Sequence, residues 1–108
     1  MRILKIIPVV AMTVSSMAFA ADAGKRPYNA NCASCHGKDG KGDTEEGKKK
    51  HVKDLTDPAV QAKLTDDQIE KIITDGISEK DREMKGFKDR LSDEQVKAIT
   101  AYVRTLKK

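Results

Sequence analysis

Tryptophan is absent, and two Tyr and two Phe are the only aromatic residues. Beyond residue 20 there is no long apolar run, no alternation of the kind strands need, and no internal repeat. Only 27 of the 88 residues from 21 to 108 are apolar, about 31%. A globular domain carries roughly 45–50% with glycine included. These shortages exclude a polytopic membrane protein, a multidomain protein and a large enzyme. A strong charge of one sign is missing too. Residues 21–108 hold 19 Lys/Arg and 17 Asp/Glu, a net charge of +2, too mild for a nucleic-acid partner. A short domain already buries a small share of its surface. With a core this sparse, what remains is a disordered segment, or a small domain completed by a disulfide, a metal or a cofactor.

The first twenty residues differ from the rest. They hold 14 apolar side chains and only two charges, Arg2 and Lys5. Ile6 to Val14 is apolar, Ser15 and Ser16 follow, and Ala18-Phe19-Ala20 places small residues where a signal peptidase reads. This is the pattern of a secretory signal, with cleavage expected after Ala20. The apolar stretch is shorter than the ~20 residues a spanning helix needs, so no stable membrane insertion is expected.

The remaining chain reads as all-α, three or four short helices around a long loop. A helix is expected over 24–35 and a charged, glycine-bearing loop over 37–53. Thr56 or Asp57 before Pro58 starts a short helix to about Lys63. Thr65 with Gln68 forms a capping box. The helix it opens buries Ile69, Ile72 and Ile73, and it stops at Gly76 in an αL cap. Residues 77–91 read as loop. Ser92 with Gln95 is a second capping box, and Val96, Ile99, Val103 and Leu106 then form one apolar stripe.

Both cysteines lie in Cys32-Ala33-Ser34-Cys35-His36. Four chemistries compete for this run. A disulfide closing so small a ring removes little chain entropy. A thioredoxin-like dithiol needs a βαβ setting that the sequence lacks. Zinc would call on Cys32, Cys35, His36 and His51, but the usual second ligand pair is missing. The fourth is covalent c-type haem, whose attachment motif is C-x-x-C-H. Two thiols three apart can each form a thioether to one vinyl group, and the adjacent imidazole can then bind iron. The motif, the export signal and the sparse core agree on haem. His36 is then the proximal ligand. For the other face, Met84 is the only methionine after residue 20. Met84 leads, with His51 and an open face as alternatives. Met/His ligation raises the reduction potential.

Further residues carry a family likeness: Gly24, Tyr28, Asn31, the Cys32–Gly37 run, Gly40 and Gly42; Asp54-Leu55-Thr56-Asp57-Pro58; Met84 with Phe87-Lys88; Leu91-Ser92-Asp93-Glu94-Gln95; and Ala101-Tyr102-Val103-Arg104. Together they resemble small bacterial class I c-type cytochromes with one haem. The resemblance covers nearly all of residues 22–108. It implies three to five short helices around one covalently bound haem, with N- and C-terminal helices crossing where Gly24 and Tyr28 meet Ile99 and Tyr102. It also implies a haem pocket lined by Leu55, Ile69, Ile72, Ile73, Phe87 and Leu91. Two departures stand out. Lys85 follows Met84 where the family usually has proline, which predicts a looser loop. No proline lies between His36 and Asp57, so another carbonyl of the 37–53 loop is expected to accept the ring N–H of His36.

The expected function is a soluble, monomeric, periplasmic electron carrier that passes single electrons between redox proteins and is not itself an enzyme. Lys80, Arg82, Lys85, Lys88 and Arg90 bracket Met84 and are candidates for steering acidic partners. The alternatives are a haem-bearing subunit of an oxidoreductase complex, or a gas sensor with a labile Met84 bond. The composition itself makes a prediction. Without haem, residues 21–108 are largely unfolded by circular dichroism; a stably helical haem-free form contradicts the incomplete core.

Overall fold

The computed structural model describes residues 16–108. The expected signal segment therefore falls mostly outside the described residues. The expected cleavage point after Ala20 lies inside the first helix, α1 (Ser16–Asn31). The others are α2 (Ala33–His36), α3 (Glu45–Lys49), α4 (Pro58–Ala62), α5 (Asp66–Asp75) and α6 (Asp93–Thr105). A hairpin of two-residue strands, β1 (Ile77–Ser78) and β2 (Glu83–Met84), joins α5 to the last segment. The fold is all-α in character, as expected, with six helices among the described residues. No described helix is long and apolar enough to cross a membrane.

Local chemistry sets the helix starts. The Asp57 side chain accepts from Ala59 N–H, so Asp57 rather than Thr56 caps α4, and Pro58 opens it. Both capping boxes form. Thr65 and Gln68 exchange hydrogen bonds of 2.9 and 3.1 Å, and Ser92 and Gln95 exchange bonds of 2.9 and 3.2 Å.

Four expectations change. The helix expected over 24–35 is α1 and α2 with a one-residue break at Cys32. The 37–53 segment is not all loop, because α3 forms within it. Thr44 caps α3 by accepting from Gly47 N–H, with Glu45 and Glu46 in its first turn and Lys48 and Lys49 in its last. The 77–91 segment contains the β1–β2 pair, with Ile77 opposite Met84 and Ser78 opposite Glu83. Gly76 ends α5 at φ +79°, ψ −175°. That is not the αL cap expected; the extended ψ sends the chain straight into β1.

The principal packing is α1 against α6. Gly24 is buried there, and a Cβ on it would land on the Ala98 carbonyl, with Ile99 N at 2.9 Å. Only a residue without a side chain lets the two backbones come this close. One turn on, Tyr28 is fully buried, and its ring lies 5.1 Å from that of Tyr102, tilted by 55°. Val96, Ile99 and Val103 continue the core along α6, joined by Ile69 and Ile73 of α5, Phe87 and Leu91. Gln61, also buried, donates to the Leu55 carbonyl at 2.7 Å and the Val103 carbonyl at 2.9 Å. Arg104 donates to the carbonyls of Gln61 (2.7 Å) and Leu64 (2.6 Å). The α4 region is thereby fastened to α6 with its buried polar groups satisfied.

Gly24→Ala overpacks this contact, and no flexible atom is present to give way. It destabilises the folded protein by about 1–3 kcal/mol, a typical overpacking cost, measurable by denaturant unfolding. An unchanged midpoint contradicts the close approach.

Candidate haem site

The Cys32–His36 run is held from both sides. Gly37 N–H donates to the Ala33 carbonyl at 2.8 Å, and Gly42 N–H donates to the His36 carbonyl at 2.8 Å. The Thr44 hydroxyl donates to the Cys35 carbonyl at 2.7 Å. From the core side, the Tyr28 hydroxyl donates to the Gly37 carbonyl at 2.7 Å. Burial holds the Tyr28 phenol above its ordinary pKa, which keeps it a donor. The carbonyls that a short helix leaves free at its end are thus taken up by α1 and by the glycine-bearing loop. The side chains of Cys32, Cys35 and His36 are left free to line the cavities beside them.

Cys32 and Cys35 are unbridged, Cys32 buried and Cys35 half-buried. Burial, and then the neighbouring Cys35, push the Cys32 thiol up to about 11. A redox-active dithiol needs the opposite shift. His36 is half-buried, and burial lowers its pKa, so its imidazole is neutral and able to ligate at neutral pH. Its Nδ1 is buried and has no hydrogen-bond partner. The expected hydrogen bond to a carbonyl of the 37–53 loop is not made.

Three cavities of about 280, 100 and 80 Å³ surround His36. Cys32 and Cys35 line the largest; the smallest has apolar walls from α5 and α6. His36 and Met84 are the two residues that line all three. Met84 is half-buried against the core. His51 lines only the 100 Å³ cavity and is itself exposed. Leu55, Ile69, Ile72 and Ile73 line cavities as expected, and Phe87 lines the largest. Leu91 does not; it is buried in the core.

Val52, Val60 and Leu64 are wall residues that the sequence reading missed. A signal existed for Leu64. It precedes the Thr65 cap and shares a cavity with Ile69 four positions into α5, the spacing of a hydrophobic staple. Of the five basic residues around Met84, Arg82 lies 4.0 Å from Glu79. Lys85 and Arg90 reach the wall of the large cavity, joined by Lys50 and by Glu83. Lys80 and Lys88 line none of the three.

This donor set fits a covalently attached haem. Two free thiols and a neutral imidazole line cavities that a thioether also lines; the smallest has apolar walls, and Lys50, Glu83, Lys85 and Arg90 stand at the wall of the one lined by both cysteines. Zinc fits poorly, since the described residues hold no cluster of three or more His, Cys, Asp or Glu placed for a metal ion.

Comparison with known proteins leads to the same place. Residues 19–103 match the family described as cytochrome c oxidase, cbb3-type, subunit III. The chain is 39% identical over 87 residues to the cbb3-type cytochrome c oxidase subunit FixP of Azorhizobium caulinodans, covering 81% of this chain but 27% of that protein. It is 36% identical over 83 residues to cytochrome c6 of Leptolyngbya boryana, covering 77% of this chain and 88% of that one. Among solved structures, the KustC0563 c-type cytochrome superposes with a TM-score of 0.72 at 36% identity, covering 79% of this chain and 98% of its own. The chain spans only about a quarter to a third of the FixP relatives it matches. On fold, site chemistry and relatives together, the chain belongs to the class I c-type cytochromes, within the cbb3-type subunit III family, and is a haem-c electron-transfer protein.

Proposed function

We propose that the protein is a soluble periplasmic electron carrier, exported with removal of residues 1–20, and not an enzyme in its own right. Cys32 and Cys35 hold the haem through thioethers, His36 is the proximal iron ligand and Met84 the distal one. The observation that carries this reading is that His36 and Met84 are the two residues common to all three cavities. The bound haem supplies a one-electron iron couple.

The protein's own residues then have limited tasks. Gly42, Thr44 and Tyr28 fix the backbone that presents His36. Leu55, Ile69, Ile72 and Ile73 exclude water and keep the surroundings apolar. An apolar wall disfavours the extra positive charge of the oxidised state, and Met/His ligation acts in the same direction, so the potential is raised. Lys50, Lys85 and Arg90 stand at the wall of the cavity that holds the cysteines. They favour approach by an acidic redox partner.

The likeness to FixP supports a second reading, a haem-bearing subunit serving one oxidoreductase complex. The match to cytochrome c6 along 88% of that protein favours the carrier.

Two outcomes are expected. Wild-type protein has the absorption of a low-spin c-type haem and resists carbon monoxide when reduced; Met84→Ala turns high-spin and binds carbon monoxide readily. A Met84→Ala protein with an unaltered spectrum removes Met84 from the iron and returns His51 to candidacy. Second, electron-transfer rate to an acidic partner falls about tenfold from low to high salt, the scale of electrostatic steering, and exchanging Lys50, Lys85 and Arg90 for Gln flattens the dependence. A flat wild-type profile contradicts steering.

A further inference from the structure

Lys85 stands where a proline would stiffen the chain after Met84, so another device must hold this segment. The end of α5 supplies one. The last carbonyls of a helix have no partners within it. Here Gly76 N–H donates to the Ile72 carbonyl at 2.7 Å. The next two carbonyls are taken by the segment after Met84. Phe87 N–H donates to Ile73 at 2.8 Å, and Lys88 N–H to Thr74 at 3.1 Å. Met84 itself pairs with Ile77, the first residue of β1, two residues beyond α5. The segment after Met84 is therefore bonded to the end of α5, and Met84 itself is paired with the strand that continues from that end.

Glycine stands on both faces of this contact. A Cβ on Gly76 would run into the Met84 carbonyl oxygen and lie 2.6 Å from Gly86 N. A Cβ on Gly86 would lie 2.7 Å from both the Asp75 carbonyl carbon and the Thr74 carbonyl oxygen. These are backbone atoms and cannot swing aside. Gly76 also has φ +79° with ψ −175°, a combination that essentially only glycine adopts.

We infer that Gly76 and Gly86 are positioning residues for Met84. Their bare backbones lock the Met84 segment onto the end of α5, so that the thioether and the Ile69, Ile72 and Ile73 wall are presented to the cavity as one body. The lock does the work of the missing proline. The inference rests on Met84 being the distal ligand, and a site of this kind is only as well held as the shell behind it.

The test uses the haem-loaded protein and compares wild type, Gly76→Ala, Gly86→Ala and Val96→Ala. The readouts are carbon monoxide affinity of the reduced form, the sulfur-to-iron absorption of the oxidised form, and unfolding temperature. Gly76→Ala and Gly86→Ala weaken the sulfur-to-iron absorption and raise carbon monoxide affinity about tenfold, as expected when the open population grows by that factor. Val96→Ala, which opens a gap in the core at a residue that lines none of the three cavities, lowers the unfolding temperature and leaves both site readouts unchanged. If the two variants do not fold, hydrogen exchange on wild type decides. The Phe87 and Lys88 amides exchange together with the α5 amide of Ile73, as one cooperative unit. Folded variants that keep wild-type site readouts overturn the lock, as do Phe87 and Lys88 amides that exchange well before Ile73. A wild type with no sulfur-to-iron absorption removes Met84 as ligand, and its positioning residues with it, whatever the exchange pattern.

Discussion

The approach of α1 to α6 at Gly24 fixes where the site can be built. With no side chain on Gly24, the α1 backbone comes up to the Ala98 carbonyl. That proximity leaves Tyr28 fully buried beside Tyr102. A phenol there cannot reach water, so its hydroxyl must find a partner inside. It finds the carbonyl of Gly37, the residue after His36. One helix contact therefore propagates through one aromatic side chain to the turn that presents the Cys32–His36 run. Thr44 and Gly42 complete the same task from the loop.

The second half of the site comes from α5. Its end holds the Met84 segment by backbone bonds, and its face supplies Ile69, Ile72 and Ile73. The two halves meet around cavities that the protein's own side chains do not fill. Here the sparse composition has its explanation. Twenty-seven apolar residues in 88 are enough to build walls and a helix crossing, but not the centre. The haem of this family provides apolar mass where the chain has none, so cofactor binding and folding are one problem.

Much of this was legible in the sequence, because its signals are local. Thr65 with Gln68 and Ser92 with Gln95 announce helix starts by side-chain chemistry that needs no tertiary partner. The C-x-x-C-H run carries its chemistry within five residues. Met84 stood out because no other methionine follows residue 20. What escaped depends on contacts between distant segments. Helix α3 has no apolar face to betray it; it stands on the Thr44 cap and on Gly47 packed against the Cys35 carbonyl. The β strands are two residues long, too short for any period to register. At Gly76 the glycine was a correct sign of positive φ, but ψ is set by the chain it meets, and no local signal reports that. Val52 is a single apolar residue in polar surroundings, and Val60 lies in a helix too short for a period to register. The unpartnered Nδ1 of His36 is a tertiary outcome that no local pattern reports.

The central claim is that this chain is completed by one haem attached at Cys32 and Cys35. The intact mass of the protein produced from the full sequence tests it most directly. The account predicts the mass of residues 21–108 plus one haem, with no thiol left to titrate. A mass equal to the bare polypeptide, with Cys32 and Cys35 either free or joined to each other, contradicts it.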